Sequence, residues 1–263
     1  MNAHQARVGR AARRFFAPIG FLLLLNAALL SPVHGANPAV GWIESQAQSD
    51  GILAASVEPA SEFQSTAEAL LALDWQESST VASPATNYLI AQNTSTVESL
   101  VRQILVANKA GQPTGPFITS LLAHQNLDGG FGEASGYQST SLDTAAALEA
   151  LAATGGRGTS AASRAIQYLL SVQFADGGYR LEGDENGSVY VTAGVLRVLS
   201  RYRVEYNVNT AVSKAISFLE AQLQPGGGWG SDWETAVALR ALAPVGADAT
   251  RLAAAADVLR ANQ

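Results

Sequence analysis

The chain has 263 residues, 48% of them hydrophobic and 14% charged, with a formal net charge of −6. That is enough apolar material for one large core or for a stack of small units sharing one, and the charge is too low for a disordered chain. There is no cysteine, which excludes disulfides, thiolate metal sites, a cysteine nucleophile and a cysteine-based thioester.

Residues 1–36 read as a signal peptide. Arg7, Arg10, Arg13 and Arg14 form a basic start without an acid, and the apolar run from Ile19 to Leu30 is short for a bilayer span. Gly35 and Ala36 supply the small residues of a cleavage site. An exported protein is expected, extracellular, periplasmic or at the cell surface. The remainder, 37–263, keeps 12 basic against 22 acidic side chains, a net charge of −10. That balance argues against nucleic acid, and against membrane contact beyond the signal peptide, because both need a basic face.

Along this remainder the first helix carries Trp42 and ends near Gln46, followed by the turn Ser49-Asp-Gly51. A second helix covers Phe63–Leu73. Ser83-Pro84 has the look of a helix start, leading through Tyr88 to Gln92, and a further helix carries Thr96, Val97 and Leu100 as far as Gly111. Thr114-Gly-Pro116 opens the next, through Leu121 to Gln125, and the turn Asp128-Gly-Gly-Phe-Gly132 leads into Ser141–Leu151. Gly155-Gly156 ends that helix. Leu169 and Gln173, the turn Asp176-Gly-Gly-Tyr179 and the helix Val189–Leu199 repeat the pattern. Asn209-Thr210 caps a helix through Phe218 to Gln222, and Gly226-Gly-Gly-Trp-Gly230 turns into Asp232–Leu242. After Pro244-Val-Gly246, Asp248 caps a last helix through Leu259 to Gln263.

Four of these helices carry one motif: Thr66, Ala67, Leu70, Leu73; Thr144, Ala145, Leu148, Leu151; Thr192, Ala193, Leu196, Leu199; and Thr235, Ala236, Leu239, Leu242. The spacing puts each set on one helical stripe. With a degraded copy at Thr96, the Thr-to-Thr intervals are 30, 48, 48 and 43 residues. No stretch shows sustained period-two alternation, so little or no sheet is expected. Helical hairpins repeating at such a period must stack to bury their stripes.

The Gln-to-Gly-Gly-aromatic turns resemble the repeats of squalene and oxidosqualene cyclases, found in related form in protein prenyltransferases. The resemblance spans roughly residues 40 to 263. It implies an all-α fold, an α/α toroid in which two layers of helical hairpins form a ring. About five and a half hairpins are present, the last cut off at Gln263, so an incomplete ring or one module of a longer protein is expected. By the same resemblance the Thr-Ala helices lie inside. Gln125, Gln173 and Gln222 then bond the ends of neighbouring helices, and Phe131, Tyr179 and Trp229 pack over the turns.

The chemistry of the relatives is not inherited. Their Asp-x-Asp-Asp acid is missing, since the chain has nine Asp and none lies within four residues of another. The zinc-ligand Cys of the prenyltransferases and the thioester Cys of the complement-type domains on this scaffold are missing too. His124, the one histidine after residue 36, sits at a helix end and is read as a surface residue. No cofactor is called for. Asp184, Glu185 and Asn186 share an acidic turn where Ca²⁺ could bind, although the spacing is not that of an EF-hand and a solvated turn is the simpler reading.

Residues at the starts of the inner helices are the candidates to face a central cavity: Gln64, Asp143, Tyr190, Trp233 and Glu234. Packing between helices is the competing role for Tyr190 and Trp233. Three functions follow. The first is a non-catalytic module that binds a small ligand or protein partner, or forms a structural part of a larger protein. The second is a cyclase-like or lyase-like enzyme. The third is a carrier similar to the cobalamin carriers.

Overall fold

The computed structural model describes residues 38–54, 59–73 and 79–262, so the signal-peptide reading falls outside the described residues. Their helices are α1 (Pro38–Ser45), α2 (Pro59–Ala72), α3 (Ser79–Ala91), α4 (Val97–Lys109), α5 (Gly115–Leu122) and α6 (Ser141–Ala153). They continue with α7 (Ser160–Ser171), α8 (Val189–Leu199), α9 (Asn209–Ala221), α10 (Asp232–Leu242) and α11 (Ala249–Ala261). Among the described residues there is no strand, only three isolated bridges at the turns. The all-α expectation holds.

The even-numbered helices form one layer, in which α2, α4, α6, α8 and α10 pack each on the next. The odd-numbered helices cover it: α3 lies on α2 and α4, α5 on α4, α7 on α6, α9 on α8 and α11 on α10. The Thr-Ala helices are therefore the inner layer of a two-layer array. Their stripes supply its core, with Leu70, Leu148, Leu196 and Leu239 all buried. Each such leucine is worth about 2 kcal/mol. Among the described residues no substantial packing joins α10 or α11 back to α1 or α2, so closure into a full ring is not part of these contacts.

The repeated threonine ties each turn to its inner helix. The buried hydroxyls of Thr66, Thr144, Thr192 and Thr235 accept from the backbone N–H of Leu53, Phe131, Tyr179 and Trp229, each at 2.9 Å. Those N–H groups have no partner in the turn itself, and leaving one unpaired inside the core would cost about 1–3 kcal/mol. The turn also docks on the next outer helix. A Cβ on Gly129 would stand 2.6 Å from the Arg164 carbonyl oxygen of α7, and one on Gly177 2.3 Å from the Lys214 carbonyl oxygen of α9. Both glycines have positive φ, so conformation and closeness each demand glycine. Phe131, Tyr179 and Trp229 then close the turns from within, each no more than 3% exposed.

The glutamine motif needs one correction. Gln125 donates to the Gly129 carbonyl at 2.9 Å and to Ala161 at the start of α7 at 2.9 Å. Gln173 does the same to Gly177 at 3.0 Å and Ala211 at 2.9 Å. Gln222 does not. The turn bond from Asn126 to Gly130 is matched by one from Gln224 to Gly228, which puts Leu223 where Gln125 and Gln173 stand. The third turn is offset by one residue, and Gln222 falls outside the motif. Gln46 is displaced likewise, because the bridge between Gln125 and Phe131 corresponds to one between Ala47 and Leu53.

Three helix starts also differ. Thr96 is the N-cap of α4, accepting from the Ser99 N–H, so Leu100 occupies the place of the repeated Thr. Pro84 lies inside α3 rather than at its start. Asn209 and Thr210 lie in the first turn of α9, whose cap is Val208 without a side-chain bond. Asp248 caps α11 as expected, accepting from Thr250 and Arg251.

Candidate functional site

One face of each inner helix keeps partial exposure along its length. It carries the residues two before, two after and five after the repeated Thr, a spacing that stacks them on a single stripe. In α2 these are Gln64, Glu68 and Leu71, and in α4, counted from Leu100, Glu98, Arg102 and Leu105. In α6 they are Leu142, Ala146 and Glu149, in α8 Tyr190, Gly194 and Arg197, and in α10 Trp233, Val237 and Arg240. None of the fifteen is fully buried, whereas most of the residues between them are. Together they make a wall of three rows.

Side chains in one row meet across adjacent helices. Gln64 donates to both carboxylate oxygens of Glu98, at 2.8 and 3.0 Å. Arg102 pairs with Glu68 at 3.2 Å and with Glu98 at 2.7 Å. Arg197 forms a two-pronged pair with Glu149, which Arg201 also approaches at 3.7 Å. The rings of Tyr190 and Trp233 lie 5.6 Å apart, tilted by 43°.

The wall is curved. Inner helices packed in a flat row at 8–10 Å spacing would hold α2 and α10 roughly 35 Å apart. Yet the Glu68 carboxylate of α2 bears electrostatically on Arg197 of α8 and on Arg240 of α10. Arg102 of α4 likewise acts on Tyr190 of α8. Desolvation and then the nearby Arg197 charge lower the Arg240 pKa, although the side chain keeps solvent exposure.

Electrostatics set the state of each acid. Burial alone would raise the Glu149 pKa, but Arg197, by charge and hydrogen bond, and then Arg201 hold the carboxyl below its usual range. Arg197 gains in return and stays protonated. Asp143 is shifted the other way: burial raises its pKa, the Thr140 hydrogen bond opposes this, and Glu133, Glu98 and Glu182 add to the rise. Arg240 has no carboxylate partner among the described residues, while Arg197 and Arg201 share Glu149.

Of the residues expected from sequence to face a cavity, Gln64, Tyr190 and Trp233 stand on this wall. Asp143 and Glu234 sit one position further along and serve as caps. Thr140 donates to the Asp143 carboxylate at 2.8 Å, and Glu234 completes a reciprocal capping box with Ser231. Asp184, Glu185 and Asn186 lie exposed on the loop before α8. Both ring nitrogens of His124 face backbone carbonyls, of Ser120 and Ser95, rather than a serine hydroxyl. Sequence reasoning missed Glu68, Glu98, Arg102, Glu149, Arg197 and Arg240. A signal was present in the charged residue five positions after Thr in three repeats running: Glu149, Arg197 and Arg240. Away from the wall, a polar depression of about 570 Å³ lies between Asp176, Thr210 and Lys214, and one of about 410 Å³ between Thr140, Tyr168, Arg180 and Glu182.

Fold and wall together define an all-α hairpin-repeat protein with a terpenoid-cyclase-like helical scaffold. Two similarities support that class. The chain is 45% identical over 67 residues to drimenyl diphosphate synthase of Streptantibioticus cattleyicolor, covering 26% of this chain and 12% of that protein. It thus matches a small fraction of that relative's length. A crystal structure of a protein from Actinoplanes shares the fold with a TM-score of 0.66 at 18% identity, over 85% of this chain and 78% of that one. No family model matches the chain.

Proposed function

We propose that this protein is an exported α/α-toroid module that binds a small ligand or a protein partner on the wall of its inner helices and does not transform it. The observation that carries this reading is the commitment of the wall's carboxylates. Glu68 and Glu98 are paired to Arg102, and Glu149 to Arg197. Against the effect of burial, Arg197 holds the Glu149 carboxyl below its usual range, and such an acid is a poor proton donor near neutral pH. The absence of an Asp-x-Asp-Asp cluster points the same way. Export rests on the basic and apolar pattern of residues 7–36, and N-terminal sequencing of the secreted protein checks it.

The experiment is a fragment titration of the isotopically labelled protein by NMR. Binders are expected to move the Gly194 amide and the Trp233 indole, and to be recovered chemically unchanged.

A second reading, a cyclase-like or lyase-like enzyme, is favoured by Asp143, whose raised pKa suits a general acid. It agrees with the name of the relative, a synthase. If a bound compound is recovered altered, and Asp143→Asn abolishes the change while binding persists, the enzyme reading replaces the first. Glu234→Gln serves as the control, since its carboxylate is used in the capping box.

A further inference from the structure

The α8–α10 portion of the wall is polarised along the helix axes. At its N-terminal end stand the paired rings of Tyr190 and Trp233, and at its C-terminal end Arg197 and Arg240. Seven residues separate the ends on each helix, a span of about 10 Å. Between them lie Gly194 and Val237. Among the described residues a Cβ on Gly194 would meet nothing within 4 Å, so none of their helices closes over the floor of this stretch.

Charge is unpaired at one end only. Of the wall's three arginines, Arg102 and Arg197 have carboxylate partners, and Arg240 has none among the described residues. A planar guanidinium fork matches a carboxylate in a two-pronged geometry, and one unpaired guanidinium matches a monoanion. A polyanion would leave negative charge without an unpaired cation, since Arg102 and Arg197 are already committed to carboxylates. Tyr190 and Trp233 offer the flat apolar surface that the body of such a ligand would need.

We infer that the stretch of wall over Gly194 binds an amphipathic monocarboxylate, its carboxylate on Arg240 and its aromatic or apolar body against Trp233 and Tyr190. This rests on the binding role assigned to the wall and adds the chemical class of the ligand.

The test is calorimetric titration of the protein with biphenyl-4-carboxylate, the neutral biphenyl-4-carboxamide and the dianionic biphenyl-4-yl phosphate. The carboxylate is expected to bind the most tightly. Arg240→Met should weaken the carboxylate about tenfold to a hundredfold, the range for a lost charged hydrogen bond, and leave the carboxamide unchanged. Gly194→Leu should abolish binding of all three while its helical circular dichroism stays intact, because its side chain fills open space. Equal binding of carboxylate and carboxamide, with no effect of Arg240→Met, overturns the inference but leaves the wall as a binding surface. Tighter binding of the phosphate also overturns it. If no probe binds, the inference falls, and the binding role falls with it if the NMR titration finds nothing on the wall either.

Discussion

Substituting Gly177 by alanine tests whether the glycine turns hold the two layers together. Gly177 has φ +92°, and its Cβ would lie 2.3 Å from the Lys214 carbonyl oxygen and 2.6 Å from the carbonyl carbon. Two costs combine. A non-glycine residue in left-handed backbone costs about 1–2 kcal/mol. Forcing a methyl group against fixed backbone costs a further 1–3 kcal/mol or so. Gly227, in the equivalent turn before α10, has φ +91° but finds its nearest neighbour, Ala254, at 3.6 Å. Gly227→Ala therefore incurs the first cost without the second, and any unfolded-state effect of removing a glycine cancels between the two variants. The expected difference is about 2 kcal/mol, or roughly 4–8 °C in melting temperature for a protein of this size. Thermal unfolding followed by far-ultraviolet circular dichroism measures it. Equal losses at both positions would refute the idea that contact between turn and outer helix adds to the backbone strain.

Four further outcomes follow from the same geometry. Gln173→Leu removes two bonds, to Gly177 and Ala211, and should cost about 1–3 kcal/mol in urea unfolding; Gln222→Leu, outside the motif, should stay within about 0.5 kcal/mol. Glu149→Leu leaves Arg197 unpaired in a largely buried site and should cost about 3–5 kcal/mol. Because Glu149 is depressed in the fold, the unfolded chain takes up its proton first as pH falls. Its contribution is thus present above the unfolded carboxyl pKa and lost as pH drops through the folded one, so Glu149→Gln should flatten the acid limb of a stability–pH curve. Asp143 has the opposite sign, since its raised pKa makes the folded state hold the proton longer. Stability then falls as pH rises from the unfolded pKa through the folded one, and the gain from Asp143→Asn, read from urea midpoints, should grow between acid and neutral pH.

The scaffold is legible in the sequence because its devices are local. The spacing of Thr144, Ala145, Leu148 and Leu151 fixes a stripe without knowledge of any neighbour, and the Gly-Gly-aromatic turns announce a chain reversal in their own composition. Sequence and structure part where two chemically similar residues compete for one position. Gln222 and Gln224 flank the true position, Leu223, and only the bond from Gln224 to Gly228 sets the register. Thr96 imitates the repeated Thr, but its hydroxyl caps α4. Pro84 resembles a helix start because proline favours first turns, yet α3 runs through it. The ion pairs of the wall are out of reach for another reason. Glu149 and Arg197 are 48 residues apart and meet because two helices lie side by side in the same register.

That contrast separates scaffold from function in this chain. Every position that repeats is occupied with holding the hairpin together, the Thr by the turn N–H, the Gln by two carbonyls, the glycine by the next outer helix and the aromatic ring by the turn above it. A residue that must do the same thing in each hairpin is poorly placed to recognise a ligand. The positions two before, two after and five after the Thr keep the same direction in each hairpin but not the same chemistry. They change from Gln64 to Tyr190 to Trp233, from Glu68 to Gly194 to Val237, and from Leu71 to Glu149 to Arg240. The scaffold does not dictate identity there, because those side chains stay partly exposed. Reading the repeat finds the frame, and reading what fails to repeat at a constant register finds the surface proposed here to bind a ligand.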